Sequence, residues 1–127
     1  TLLAVVSQRL VRLICPHCRV PHQPTEEERE WLSRVTPRPV AERHFYRGTG
    51  CARCNQIGYL GRTGVHELLS ITPTLARSLR SGVLSDFEAA AATELEGDTI
   101  VNRVTDLLLQ GRTTIAEAIK VISWGEA

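Results

Sequence analysis

The sequence ICPHCR at residues 14–19 decides how the rest of the chain is interpreted, because it contains the first of two C-x-x-C pairs. The second pair occupies residues 51–54, after an insert of 32 residues (19–50), and the chain has four cysteines in total. Two C-x-x-C knuckles together supply four thiolates, which is the closed, tetrahedral ligand set of structural zinc sites. The spacing therefore predicts one bound Zn²⁺ with four ligands: Cys15, Cys18, Cys51 and Cys54.

The length of the insert does not argue against this site. Common zinc ribbons separate their two pairs by about 15–20 residues, but the entropic cost of closing a loop grows only with the logarithm of its length. The additional cost here is about 0.5 kcal/mol, whereas zinc binding to small sites of this kind is worth about 10 kcal/mol or more. The binding free energy of the metal therefore outweighs the cost of the longer loop.

A second interpretation of CPHC is a redox-active dithiol, since disulfide oxidoreductases use the same spacing. Such an enzyme places the second cysteine of the pair on a long helix. In this chain the motif is followed by RVPHQP, in which Pro21 and Pro24 exclude that helix. The zinc interpretation is therefore favoured, and the nearby His17 and His22 are expected to be surface groups or neighbours of the site rather than ligands.

Charge is divided unevenly along the chain, although the net charge is only +1. Residues 1–64 contain ten Arg and five Glu, a balance of +5, whereas residues 65–127 contain five basic and nine acidic residues, a balance of −4. The two halves are therefore expected to have different functions.

No apolar run approaches the ~20 residues of a membrane span. The absence of Met, with an opening in the middle of an apolar pattern, predicts a piece of a longer protein.

The basic half is predicted to be irregular around a few short elements. Its first apolar segment, residues 2–14, fits either a short helix or a strand. A capping box of Thr25 and Glu28 predicts a helix, and the glycine-rich residues 44–64 predict turns and short strands around the second cysteine pair. The segment VHELLSI that follows is interpreted as a strand.

The acidic half is predicted to be a small bundle of short amphipathic helices. Polar capping residues mark their starts, and glycines mark their ends. Pro73 occupies the first position of one helix, while Ile100, Val104 and Leu108 share one face of another. The predicted N-terminal caps are Thr72, Ser85 with Glu88, Asp98 or Thr99, and Thr114 with Glu117.

A nucleic-acid-binding zinc ribbon is an alternative interpretation of the basic half. Arg43, Arg47 and Arg53 alternate with aromatic side chains beside the second cysteine pair, which is a composition typical of single-stranded nucleic-acid binding. A net charge of only +1 and the absence of a lysine run count against this function. The same basic and aromatic surface is also suited to contact an acidic protein face.

Three glycines after the second pair are expected to have a conformational role. Gly58, Gly61 and Gly64 permit positive φ and close backbone approach, as a metal knuckle that feeds a strand requires. They do not form a phosphate loop, because the order G-x-x-x-x-G-K-[ST] is absent and the chain's one lysine is Lys120.

Three stretches carry a resemblance to a known family: AVVSQRLVRLICPHC, GCARCNQIGYLGRTGVHELL and LLLQGRTTIAEAIKVI. Together they resemble the C-terminal region of the ATPases that power bacterial type II secretion and type IV pilus assembly. The family pattern is Q-R-L-V-R leading into C-x-x-C, then G-C-x-x-C-x-x-x-G-Y-x-G-R-x-G-x-x-E-L, then G-x-T-T-x-E-E. The tail departs from this pattern once. The family has two adjacent acidic residues after T-T-x, whereas this chain keeps one of them as Glu117 and has an alanine beside it in place of the other.

The resemblance implies an α+β fold in which a tetracysteine zinc-knuckle module is inserted between two paired β-strands at the end of a RecA-like core, with a helical bundle after it. The paired strands are implied near residues 8–14 and 64–70. The implied divisions are the end of the core at 1–14, the zinc module with a variable helical insert at 15–63, a core strand at 64–71 and a helical subdomain at 72–127.

The resemblance assigns no catalytic residue to this chain. The family's Walker A loop, acidic boxes, Walker B motif and catalytic His lie upstream in the parent protein, so this chain is expected not to be an enzyme as it stands. ATP and Mg²⁺ then belong to the parent alone, and Zn²⁺ is the cofactor expected here.

The resemblance further implies a structural part in docking or force relay within a hexameric ATPase. That protein is expected to be cytoplasmic and peripheral at the inner membrane. Its implied partners are a polytopic inner-membrane platform protein, a membrane-anchored recruitment protein and further copies of itself. Neither a nucleic-acid partner nor a membrane span is expected.

Overall fold

The chain folds into an α+β architecture with two small antiparallel sheets and five helices in the part that the computed structural model describes, residues 4–35, 44–94 and 99–123. The strands are β1 (Ala4–Ile14), β2 (Arg19–His22), β3 (Phe45–Gly48) and β4 (Tyr59–Ser70). The helices are α1 (Glu26–Val35), α2 (Pro73–Ser81), α3 (Leu84–Glu94), α4 (Ile100–Leu109) and α5 (Ile115–Ser123), and a 3-10 turn covers Ala52–Cys54.

A long antiparallel ribbon of β1 and β4 is the main sheet. Its register runs from the pair Ala4–Ser70 to the pair Arg12–Arg62 and shifts between Arg12 and Ile14. The sequence did not distinguish helix from strand for the first segment. In the structure it is a strand, and it pairs with β4 along most of its length. The two segments implied to be paired strands by the family resemblance do pair.

The insert between the cysteine pairs is ordered by a second, shorter ribbon. β2 follows the first pair directly and β3 leads into the second, and the two strands pair in antiparallel register. This pairing brings the two knuckles to the same end of the ribbon, although 32 residues separate them in sequence. The sequence did not reveal β2, because a four-residue strand containing Pro21 has too little pattern to detect.

Most of the predicted helix starts are confirmed. At four helices a threonine hydroxyl accepts the backbone N–H three residues further on, at 3.0–3.3 Å. These threonines are Thr25, Thr72, Thr99 and Thr114. The predicted box at Thr25 is complete, since the carboxylate of Glu28 accepts the Thr25 N–H at 2.9 Å.

The predicted cap of α3 is wrong. The helix begins at Leu84, and its first-turn amides of Asp86 and Phe87 donate to the carbonyl oxygen of Val83. Ser85 therefore lies inside the helix rather than at its start. The reason is the tight connection at Gly82, which has φ of 74° and lets α3 begin directly after α2. Of the glycines that the sequence predicts at helix ends, the one that follows this helix is Gly97, which lies outside the described residues.

One hydrophobic core joins elements from the whole length of the described chain. Helices α4 and α5 pack on the β1–β4 ribbon, and the insert adds Leu32 of α1 and Phe45 of β3 to the same cluster. The sequence predicted a helical bundle with its own apolar faces. Two of those faces instead pack on the ribbon and the insert, while α2 and α3 pack on each other as a hairpin.

Candidate metal centre

The two C-x-x-C pairs form two turns that face each other. Cys15 follows the last residue of β1, and Cys18 directly precedes β2. Cys51 directly precedes the 3-10 turn and Cys54 is its last residue, after which Asn55 and Gln56 both have positive φ, 56° and 64°. Each turn thus folds back on itself and directs its two sulfur atoms toward the other turn.

The four Sγ atoms lie within 4.8 Å of one another. The separations are 3.8 Å for Cys15–Cys51, 3.8 Å for Cys18–Cys54 and 3.7 Å for Cys51–Cys54. A tetrahedral zinc site with Zn–S bonds of about 2.3 Å requires ligand sulfurs about 3.8 Å apart, whereas a disulfide requires about 2.05 Å. All four cysteines are free thiols, and together they can hold a metal ion.

Backbone amides surround the sulfur atoms on the side of the second knuckle. The N–H groups of Cys51 and Gly58 donate to Sγ of Cys54 at 3.3 and 3.2 Å, and the N–H of Gly50 donates to Sγ of Cys18 at 3.3 Å. Amide donors stabilise a thiolate over a thiol. The protein therefore supplies an environment for charged sulfur, which is the form that binds metal.

The two buried thiols have opposite acid–base behaviour. Burial is the largest effect on Cys15 and, with the neighbouring thiols, raises its pKa to about 11 against the opposing hydrogen bond from the backbone of His17. Burial also acts to raise the pKa of Cys54, but the amides of Gly58 and Cys51 outweigh it and the pKa is lowered to about 6. Four thiolates in this small space require a cation to offset their charge, and a divalent metal supplies it.

Close backbone contact between Gly48 and Gly58 holds the second knuckle against the end of β3. A Cβ atom on Gly48 would overlap the carbonyl oxygen of Gly58, and one on Gly58 would lie 2.6 Å from that of Gly48. Gly58 and Gly61 have the predicted positive φ, 88° and 82°. The prediction is wrong for Gly64, which lies inside β4 opposite Leu10. Sequence reasoning missed Gly48, since its role depends on a contact with a distant residue.

The first knuckle is fixed through the free edge of β1. The amide of Ile14 donates to the carbonyl oxygen of Arg112 at 2.9 Å, and the hydroxyl of Thr113 donates to the carbonyl oxygen of Arg12 at 2.8 Å. The carboxylate of Glu117 accepts the Arg12 amide at 2.9 Å and the Arg12 Nε at 3.1 Å. The α4–α5 connection and α5 therefore satisfy the backbone of β1 just before Cys15.

Glu117 has a structural role that differs from the predicted one. The sequence predicts that it completes a capping box with Thr114, but its buried carboxylate binds Arg12 instead. The Arg12 guanidinium lies 4.1 Å from the ring centroid of Tyr59, whose hydroxyl is 2.6 Å from that of Thr114. A signal was present in the sequence, because Glu117 lies on the apolar face of an amphipathic helix, where a charge requires a partner.

The two histidines near the first knuckle do not join the thiol cluster. His17 is exposed, and Nε2 of His22 lies 2.9 Å from the carboxylate of Glu28. Cys18 leads into strand β2 rather than into a helix, as Pro21 predicted. The dithiol-oxidoreductase alternative therefore lacks the helix on which it depends.

The basic residues of the second knuckle are partly described. Arg47 and Arg53 are exposed, whereas Arg43 lies outside the described residues. The rings of Tyr46 and Tyr59 are each covered by a guanidinium group, at 3.8 and 4.1 Å. One face of each tyrosine ring is therefore already covered and cannot stack on a nucleic-acid base, which counts against the nucleic-acid-binding alternative.

The structure is thus an α+β protein in which four clustered cysteines can hold a metal ion, beside a β-ribbon on which two helices pack. Residues 1–120 match the model of the family described as "Type II/IV secretion system protein". The chain belongs to this family.

Individual relatives agree with the family match. The chain is 36% identical over 123 residues to "Type II secretion system ATPase E" of Vibrio cholerae, an alignment that covers 95% of this chain and 23% of that protein. It is 38% identical over 124 residues to "Type II secretion system protein E" of Dickeya dadantii, with the same coverage of 95% and 23%. It is 32% identical over 118 residues to "Type IV pilus assembly ATPase PilB" of Thermus thermophilus, covering 93% and 13%.

The chain thus spans less than a quarter of the length of these relatives. Within the described residues, no helix combines the length and the apolar character needed to cross a membrane.

Proposed function

We propose that this chain is the zinc-bearing C-terminal region of an ATPase that powers type II protein secretion or type IV pilus assembly. The observation that carries this proposal is the four-thiol cluster at the end of the β1–β4 ribbon, within a chain that belongs to the secretion family. The region is not itself catalytic. ATP and Mg²⁺ bind elsewhere in the parent protein, and this part of the proposal is supported by two relatives that are themselves named as ATPases.

Zn²⁺ is the metal that this ligand set fits best. Cys15, Cys18, Cys51 and Cys54 offer four soft sulfur donors, and tetrahedral thiolate sites select zinc or iron–sulfur chemistry. The sulfur separations of 3.7–3.8 Å match a mononuclear tetrahedral site. Four protein ligands leave no open position for a catalytic water, so the metal has a structural part.

The metal makes the insert a rigid module between two strands of the parent's RecA-like core. This rigid module serves for docking or force relay in a hexameric, cytoplasmic motor that is peripheral at the inner membrane. Its proposed contacts are the platform protein and the membrane-anchored recruitment protein. The exposed, positively charged Arg47 and Arg53 support a contact with an acidic face of such a partner.

Charge reversal in the parent protein tests the docking function. Replacing Arg47 and Arg53 with Glu should abolish secretion or piliation while the basal ATPase rate of the hexamer stays near that of the wild type. The physical reason is that both side chains are exposed, so their substitution alters a partner contact at little cost in folding stability.

The matched control carries Arg77→Glu and Arg80→Glu on α2, which change the same number of exposed charges. This control should secrete normally. The docking function is contradicted when the Arg47 and Arg53 variant secretes like the wild type, or when its ATPase rate falls in proportion to its secretion.

A further inference from the structure

A positively charged trough runs from the second knuckle to the end of α5. It consists of two adjoining grooves of about 560 and about 420 Å³, which share Arg12 and Arg62 in their linings. The first groove lies beside the 3-10 turn of the knuckle, and the second lies between β1 and α5. We call this surface the basic trough; its charged lining residues are Arg9, Arg12, Arg53, Arg62, Glu117 and Lys120.

The cations of the basic trough are not balanced by the protein. Five cations face one carboxylate, an excess of +4, and that carboxylate, Glu117, is already bound to Arg12. Arg53, Arg62 and Lys120 are exposed, and none of them forms an ion pair with a carboxylate of the described chain. An anionic ligand can therefore approach these three side chains without displacing an existing partner.

The β-ribbon places two of these charges side by side. Arg12 and Arg62 are register partners on β1 and β4, so their side chains leave the same face of the ribbon. Like charges directly opposite each other are destabilising, and Glu117 offsets only one of them. Binding of an anion beside Arg62 would relieve the remaining repulsion.

Aliphatic side chains are exposed along the same trough. Ile57 and Leu60 line the knuckle end with 60% and 43% of their surface exposed, and Leu10 lines the α5 end with 56% exposed. Exposed apolar surface between cations favours a ligand that carries both acidic and aliphatic groups. We propose that the basic trough is a docking site for an extended acidic peptide segment, with its carboxylates on Arg62 and Lys120 and its aliphatic side chains on Ile57, Leu60 and Leu10.

Other anionic ligands fit the trough less well. A single-stranded nucleic acid stacks its bases on aromatic faces, but among the described lining residues the aromatic ring is that of Tyr59, and the Arg12 guanidinium covers one of its faces. A lipid surface is flat, whereas the site is concave along two grooves.

The basic trough is separate from the proposed function, because it is tested in the isolated chain through Arg62 and Lys120, which the Arg47 and Arg53 substitutions leave unchanged. Arg53 borders the trough but is not substituted in its test. The proposal holds whichever machine the parent protein serves. Secretion by the Arg47 and Arg53 variant of the parent protein tests the proposed function, whereas peptide titration of the isolated chain tests the basic trough. Either hypothesis can therefore be contradicted while the other stands.

The probe is a short fluorescein-labelled peptide that alternates glutamate and leucine, titrated with the 127-residue chain while fluorescence anisotropy is measured. The double variant Arg62→Glu with Lys120→Glu should bind the peptide at least about tenfold more weakly than the wild type, and added salt should weaken the wild-type interaction. The control double variant Arg77→Glu with Arg80→Glu should bind it like the wild type. Circular dichroism shows that each variant is folded before it is titrated.

Two matched peptides separate the parts of the proposal. Replacing every glutamate with glutamine should abolish binding, and replacing every leucine with serine should weaken it. The proposal is overturned when the Arg62 and Lys120 variant binds as well as the wild type, or when the glutamine peptide binds equally. It is also overturned when a single-stranded oligonucleotide, a vesicle of anionic phospholipid or a second copy of the chain occupies the trough more tightly than the acidic peptide does.

Discussion

Glu117 shows how one buried carboxylate connects sequence segments that lie 105 residues apart. It is only 3% exposed, and its oxygens accept both the backbone amide and the side chain of Arg12. The bonds compensate for the desolvation of the charge, and they also satisfy a backbone group on the free edge of β1. The same Arg12 covers Tyr59 at the start of β4, so both strands of the ribbon are linked to α5.

Substitution of Glu117 tests this connection. Glu117→Gln should lower the free energy of unfolding by about 1–2 kcal/mol, because it keeps an acceptor for the Arg12 amide but loses the charge. Glu117→Ala should cost about 2–4 kcal/mol, because it leaves the amide without a partner and removes a buried side chain. Urea denaturation measures both values.

The control is Glu30→Gln on α1, where an exposed carboxylate undergoes the same chemical change. It should stay within about 0.5 kcal/mol of the wild type. A Glu117→Ala protein as stable as this control would show that the Arg12–Glu117 pair does not hold β1 to α5.

The knuckles and helix starts were predictable because their signals are local. A threonine before a helix and a C-x-x-C turn need only a few neighbouring residues, and the structure bears out the caps at Thr25, Thr72 and Thr99. The ribbon elements were less predictable, because strand pairing is a long-range choice. The pattern of the β1 segment fitted a helix as well as a strand, and no feature of the sequence predicted that β2 would pair with β3.

Gly58 allows a test of the second knuckle as a unit. Gly58→Ala should lower the free energy of unfolding by about 2–4 kcal/mol, because the new Cβ combines an unfavourable positive φ with a clash against Gly48. It should also weaken zinc binding, since the Gly58 amide donates to Cys54. Denaturation of the zinc-loaded chain and competition with a chromophoric chelator measure the two effects.

Gly61→Ala is the matched control, because Gly61 also has positive φ, 82°, but a Cβ there meets nothing within 4 Å. It should show only the backbone cost, about 1 kcal/mol, and near-normal zinc affinity. Equal losses in the two variants would mean that the approach of Gly58 to Gly48 contributes nothing to the site.

At the level of the whole chain, the metal site and the helices are not independent. The insert contributes Leu32 and Phe45 to the core that also contains α4 and α5. A Cβ on Gly111, just after α4, would lie 2.5 Å from the side chain of Arg19 on β2, so the short ribbon also approaches the helices closely. The sequence predicted separate units because its caps and apolar stripes are local, whereas a shared core depends on contacts between distant segments.

Removal of zinc should therefore loosen the whole core and not the knuckles alone. The zinc-loaded chain should contain one Zn²⁺, and a chelator should accelerate amide hydrogen exchange in α4 and α5 together with that in α1, because these helices pack in one cluster. The hairpin of α2 and α3 packs mainly on itself and should change less. Hydrogen exchange with mass spectrometry resolves these segments, and chelator that is already saturated with zinc is the control.

Cys51→Ser, which removes one of the four sulfur donors, should reproduce the exchange pattern of the chelated protein. Protection of α4 and α5 that survives chelation, while α1 and the knuckles exchange freely, would contradict the shared core and restore the picture of a separate helical unit.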